Sequence, residues 1–281
     1  MSYTNFIPTI WAEAIERELE KTMVFAEDCN RKYEGKIKKE GDMVKILGVG
    51  QPTMYTIDAG QRNAEINAPE TVETTSVFLP VNQLTYFNYE IGDIDEFQSV
   101  SGLAEALRAE TTEGLADAQD RHIASMALET EAYKMNSSAV QVQADTILTA
   151  IDAAQQKLWE NNVKPTTELV LTASPRFCML LRQKLAILDT DNTERIVNGK
   201  IGKYGGITIK MSNNVATSNN GAVDNIMLRT KRAIAFVRPM IHIEPYRPEK
   251  KFADAIKGFV LYQAKIVRPK ELVVLNVKYT A

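Results

Sequence analysis

Apolar positions near the start of the chain recur with helical spacing. Trp11, Ile15, Leu19, Met23 and Ala26 fall three or four residues apart, interleaved with Glu16, Arg17, Glu18, Glu20 and Lys21. This predicts an amphipathic helix capped by Thr9, with Glu13 in the first turn against the helix dipole. The neighbouring sequence offers the stripe no apolar partner. From Gly41 the period changes. Residues 43–47 (Met-Val-Lys-Ile-Leu) read as a strand broken by Gly48-Val49-Gly50-Gln51-Pro52, and Met54-Tyr55-Thr56-Ile57 follows. After a polar tip over 58–69, residues 70–77 alternate, with Val72 and Thr74 on one face and Glu73 and Thr75 on the other. The pattern predicts a long hairpin. A two-stranded ribbon is marginal alone in water, so something beyond the ribbon must hold it.

The third element is a helix capped by Ser101 and running from Leu103 to about Lys134, about 45 Å long at 1.5 Å per residue. Its thin stripe of Leu103, Leu107, Leu115, Ala118, His122, Met126 and Tyr133 suits a helix lying across a surface. After Asn136-Ser137-Ser138 the elements shorten. Asp145 is read as the cap of a helix whose Ile147, Leu148, Ile151, Ala154, Leu158 and Trp159 share a face. A buried strand over 169–172 leads to Ser174-Pro175, a cap followed by proline at the first helical position, and then Phe177, Leu180, Leu181, Leu185 and Leu188. A polar, glycine-bearing loop over 189–206 precedes strands at 207–211, 226–228, 233–237 and 240–244. Beyond Pro245 and Pro248, residues 255–267 and 271–277 read as two strands flanking Arg268-Pro269. No internal repeat is found.

Composition narrows the class. The chain has 281 residues, 44% of them hydrophobic and 25% charged, which excludes collagen-like, coiled-coil and wholly disordered chains. A net charge of −3 carries no global basic surplus for gripping nucleic acid. Cys29 and Cys178 are too few for a disulfide scaffold and suit a reducing compartment. No apolar run approaches the ~18 residues of a membrane span, and the N-terminus lacks the basic and apolar regions of a signal peptide. The expectation is a soluble chain made in the cytoplasm, with no membrane partner.

Motifs of known chemistry fail on context. Gly48-Val49-Gly50 is followed by Pro52 and a strand, not by the helix a dinucleotide site requires. Gly199-Lys200 and Gly202-Lys203 lack the Ser or Thr that completes a phosphate loop. In the acidic run from Asp189, Glu194 replaces the turn glycine of a calcium loop and Lys200 its bidentate carboxylate. His122 and His242 read as packed or interface histidines, and both cysteines as inert thiols. Asp93, Asp95 and Glu96 read as a solvated turn, and Arg31, Lys32, Lys36, Lys38 and Lys39 as solvated charge. No catalytic residue, cofactor or metal site is assigned.

The order of these parts resembles the major capsid (coat) protein of tailed bacteriophages, the Hong Kong 97-type fold, over nearly the whole chain. The resemblance rests on Pro8-Thr9-Ile10-Trp11-Ala12, on Tyr33-Glu34-Gly35 through Gly41-Asp42-Met43-Val44, and on the stretch from Leu169 to Leu181. It also rests on Gly205-Gly206-Ile207 to Asn213-Asn214, Ala233-Ile234-Ala235-Phe236, Phe252-Ala253-Asp254 to Gly258, and the last two strands. It implies an α+β Hong Kong 97-like capsid fold with an N-terminal arm over 1–35 and an extended loop over 36–82. A peripheral domain with the spine helix would cover 83–143, an axial domain 144–245, and peripheral C-terminal strands 246–281. The implied function is a virion shell protein that self-assembles, as hexamers and pentamers, into an icosahedron around double-stranded DNA contacted weakly. A separate scaffolding protein and a portal are the implied partners. Trp11, Ile15 and Leu19 would anchor the arm, and Met54, Tyr55 and Ile57 would lie across an adjoining subunit. Arg62, Glu65 and Glu70 would set register there. The alternatives are an encapsulin-type shell around cargo enzymes and, from another class, a soluble α/β enzyme built on the lobe after Ala144.

Overall fold

The computed structural model describes residues 23–33, 43–49, 53–56, 68, 74–92, 103–136, 138–187 and 200–279. Two sheets and an antiparallel ribbon organise these residues. The larger sheet has eight strands. β4 (Tyr133–Lys134), β13 (Leu272–Tyr279), β10 (Val223–Thr230), β6 (Leu169–Ala173), β8 (Ile207–Met211) and β7 (Lys200–Tyr204) lie side by side in that order. β5 (Val140–Val142) adds to β13, and β9 (Thr217–Ser218) adds to β10. Every residue of β6 and β10 is buried, as in strands covered on both faces. This explains why both read as short apolar runs without alternation.

Helix α2 (Ile147–Glu160) turns Ile147, Ile151, Ala154 and Leu158 into the core. Its predicted face is correct apart from Trp159, which is exposed, and half-buried Leu148 packs against the same core. Thr146, not Asp145, occupies the cap position. The Asp145 carboxylate instead accepts from Lys184 Nζ at 2.7 Å. That lysine lies on α3 (Pro175–Ile187), so Asp145 ties two helices together. Ser174 caps α3 as expected, its Oγ accepting from the Phe177 amide at 3.4 Å.

The second sheet has the order β11 (Ile234–Tyr246), β12 (Ala253–Ile266), β3 (Gln83–Gly92), all antiparallel. The two expected strands at 233–237 and 240–244 form one strand whose register shifts between Val237 and Met240. Pro239 sits in that shift, where a residue without an amide proton is tolerated. In β12, Gly258 lies opposite Phe87. A Cβ there would sit 2.6 Å from Phe87 Cζ and 2.9 Å from the His242 carbonyl, so glycine is required by close approach.

Helix α1 (Leu103–Ser125) packs on this sheet through contacts with β12 and β3. It is shorter than predicted, about 35 Å. Ser125 Oγ donates to the His122 carbonyl at 2.7 Å, a local bond that competes with the helical ladder. One 3₁₀ turn (Met126–Leu128) follows, and Tyr133–Lys134 then leaves helical geometry altogether to pair parallel with β13. The predicted stripe fails accordingly at Tyr133.

Sheet membership also cuts across the boundary expected at Pro245. β11 joins β12 and β3, whereas β13, from the end of the sequence, enters the eight-stranded sheet beside β10. One large apolar cluster links the two sheets, including Leu171, Ile226, Leu228, Phe236, Val260 and Val273.

Candidate assembly interface

The predicted hairpin is present at its root. β1 (Met43–Val49) and β2 (Thr74–Pro80) pair antiparallel from Met43↔Pro80 to Val49↔Thr74. Ile46 and Leu79 face inward and, with Val81, pack on Ala235, Val237 and Leu261 at the end of the three-stranded sheet. The ribbon's support therefore comes from the molecule's own body at this end. Phe78 points the other way, exposed, with the Lys45 ammonium 5.7 Å from its ring centre. Met54 and Tyr55 lie in irregular backbone, not in the predicted strand, and are 77% and 65% exposed. Ile57, Arg62, Glu65 and Glu70 lie outside the described residues, as do Trp11, Ile15 and Leu19.

The predicted N-terminal helix does not extend to Ala26. Residues 23–30 form a strap containing one 3₁₀ turn (Ala26–Asp28), with Met23, Phe25, Ala26 and Cys29 buried in the core. Polar side chains from three body elements hold it. At its N-terminal end the Asp120 carboxylate, on α1, accepts from the amides of Val24 at 2.7 Å and Phe25 at 3.2 Å. At its C-terminal end Arg229, fully buried on β10, donates to the carbonyls of Asp28 at 2.6 Å and Phe25 at 3.0 Å. The acid thus meets the amide end of the turn and the guanidinium its carbonyl end, which matches the dipole of a helical turn. Lys210, on β8, pairs with Glu27 and Asp28, each at 2.6 Å. Asn30 then runs beside β11, its amide donating to Ile234 O at 2.8 Å and its carbonyl accepting from Phe236 N at 3.1 Å.

Burial pushes the Asp120 carboxyl up to about 6, against the opposing pull of the strap amides and Arg229. Burial also raises the Cys29 thiol, although Arg229 opposes it, and raises Cys178 to about 12. Thiols held this far toward the neutral form are poor nucleophiles. His122 meets the Tyr262 ring edge-on at 5.5 Å, and burial lowers its pKa. His242 lies 5.5 Å from the Phe259 ring. Among the described residues, no three His, Cys, Asp or Glu side chains are placed to hold a metal ion. None of their helices is long and apolar enough to cross a membrane.

The clamp residues were not singled out in the sequence. Their signal was a charge inside an apolar run: Arg229 after Ile226-Met227-Leu228, Lys210 between Ile209 and Met211, and Asp120 between Leu115-Ala116 and Ile123-Ala124.

No protein-family model matches the chain, and no curated protein sequence matches it. Solved structures do. A structure from Mycobacterium phage Che8 superposes with a TM-score of 0.71 at 27% identity, covering 90% of each chain. The capsid structure of Cyanophage P-SCSP1u gives 0.70 at 14% identity, covering 92% of this chain and 88% of that one. A virus-like particle from Pyrococcus furiosus gives 0.58 at 13% identity, covering 94% and 96%. Over about nine-tenths of its length, this chain carries the α+β fold of the phage capsid proteins, the Hong Kong 97-type architecture.

Proposed function

We propose that this chain is a phage major capsid protein that self-assembles into an icosahedral shell around double-stranded DNA. The observation that carries the reading is the capsid fold, matched across nine-tenths of the chain. The three-stranded sheet, α1 and the hairpin root form the peripheral part of the subunit, and the eight-stranded sheet forms the axial part. The strap is the fixed joint from which residues 1–22 reach a neighbour through Trp11, Ile15 and Leu19. Met54, Tyr55 and Ile57 lie across an adjoining subunit, where Arg62, Glu65 and Glu70 set register. The role is structural and non-catalytic, the location is the virion, and assembly takes place in the host cytoplasm with a separate scaffolding protein and a portal. Standard interfaces bury about 800 Å² per partner, and projecting segments add area after docking.

Electron microscopy of the purified chain, alone and with a co-expressed scaffold, tests this. Closed shells are expected. Deleting residues 58–69 leaves a folded subunit that assembles poorly, and Trp11→Ala lowers particle yield more than monomer stability. A chain that stays monomeric under both conditions overturns the reading. The likeness to the Pyrococcus furiosus particle supports a second reading, a nanocompartment shell around protein cargo. Particle contents, DNA or protein, separate the two.

A further inference from the structure

A cleft of about 440 Å³ opens where three elements of the larger sheet region meet, and it shares no residue with the strap or the ribbon. β5 and the residues after it contribute Val142 and Ala144, α3 contributes Arg176, Met179 and Leu180, and β13 contributes Tyr279. Cavities of this size, lined mostly by apolar groups with a few placed polar ones, are where proteins hold small organic ligands.

The tyrosine wall is held rigidly. Tyr279 Oη donates to the Asp224 carboxylate at 2.7 Å. With that proton committed, Ser174 Oγ donates to Tyr279 Oη at 2.8 Å. Ser174 and Asp224 are each only 7% exposed, so the phenol is fixed between two buried partners. Burial also raises the Tyr279 pKa, and the hydroxyl keeps its proton. Over this ring, at 5.3 Å from its centre, lies the Arg176 guanidinium. It pairs with no carboxylate among the described residues, and the acids of the adjoining segments are engaged elsewhere: Asp145 with Lys184, and Asp224 with Tyr279. A cation kept at an apolar cleft without a counter-charge calls for an anion. The other walls say what should carry it. A thioether at Met179 and a fixed ring at Tyr279 both favour contact with an aromatic group, and Val142 and Leu180 add aliphatic surface.

We propose that this cleft binds a small aromatic carboxylate, its ring against Met179, Leu180 and Tyr279 and its carboxylate on Arg176. The site goes beyond the shell role and does not depend on it, because every residue of the cleft belongs to one subunit.

The probe is cinnamate, and its uncharged twin cinnamamide has nearly the same shape. Calorimetric titration of the unassembled full chain should show saturable binding of one cinnamate per chain. Methyl NMR of the methionines should place it, with Met179 the methyl that shifts most. Arg176→Gln should weaken cinnamate at least threefold and leave cinnamamide nearly unchanged, since only the charged contact is lost. Ala144→Phe fills the cleft and should abolish binding of both, with thermal melting as the check on folding. Met179→Glu is the second variant, at a position already 55% exposed. It sets a competing carboxylate one turn from Arg176 and should block cinnamate while cinnamamide still binds. Absence of saturable binding to the wild-type chain, or a cinnamate affinity indifferent to Arg176→Gln, overturns the proposal. So does binding that vanishes once particles form, because a neighbouring copy is then the occupant of the cleft.

Discussion

Replacing Arg229 with methionine tests the central structural claim, that the strap over 23–30 is held by charge as much as by apolar packing. Methionine approximates the length of the arginine stem, so cavity and overpacking terms are small. The change instead strips the buried carbonyls of Asp28 and Phe25 of donors now at 2.6 and 3.0 Å. Each buried acceptor left without its donor costs about 1–3 kcal/mol, so the pair costs about 2–6 kcal/mol. One term runs the other way. Arg229 Nε has no hydrogen-bond partner among the described residues, and methionine removes that native penalty. A net loss of about 2–4 kcal/mol is expected, a large part of the roughly 5–15 kcal/mol by which a folded domain is stable. Urea unfolding of the unassembled subunit measures it. Limited trypsin digestion locates it, because Arg31 and Lys32 close the strap and should be cut faster in the variant. A loss under about 1 kcal/mol with unchanged cleavage would refute the reasoning and leave Met23, Phe25 and Ala26 as sufficient anchors.

Two further perturbations address other elements. Gly258→Ala drives a Cβ to 2.6 Å from the Phe87 ring and 2.9 Å from the His242 carbonyl, so a loss of about 1–3 kcal/mol is expected in the same unfolding assay. Phe87→Leu in that background should recover only part of it, because the carbonyl cannot move aside. For Asp120, a folded pKa raised to about 6 from 3.8 means that the native state binds the extra proton. Its contribution is fully present below about pH 4 and is lost as pH rises through about 6. Stability of wild type relative to Asp120→Asn should therefore fall across that window, by at most about 3 kcal/mol. A difference that is flat between pH 4 and 7 would show that the carboxyl is not shifted.

What the sequence made legible followed from how many roles each residue plays. The face of α2, the Phe177, Leu180 and Leu181 part of the α3 face, the buried β6 and the two long strands β12 and β13 were readable because their residues do one thing, which is to fill the core, while Leu188 lies outside the described residues. Gly258 was not, since its reason is a ring reaching across from Phe87. Helix α1 ended early for a reason located elsewhere: β13 recruits Tyr133 and Lys134 as a short parallel edge. At Asp145 a good capping residue was taken by Lys184 on a helix 39 positions away. The strap was the largest miss. Met23 and Ala26 continue the periodicity of Trp11, Ile15 and Leu19 so well that one helix was the economical reading. Only Asp120 and Arg229, distant in sequence, reveal that the pattern changes purpose there. Backbone form at 53–56, where Met54 and Tyr55 are exposed, was misread as a strand.

The position of β13 carries a consequence for timing during synthesis. Residues 272–279 insert between β10 on one side and β4 and β5 on the other, and they are translated after all three. At about 5–20 residues per second, β10 precedes the strand that joins it by about 2–8 s and β4 by about 7–28 s. Until then their open edges are a hazard, and the subunit's shape is unfinished. Growth of an ordered lattice from half-made chains on a polysome is thereby discouraged, because a nascent copy has no completed surface to offer its neighbours.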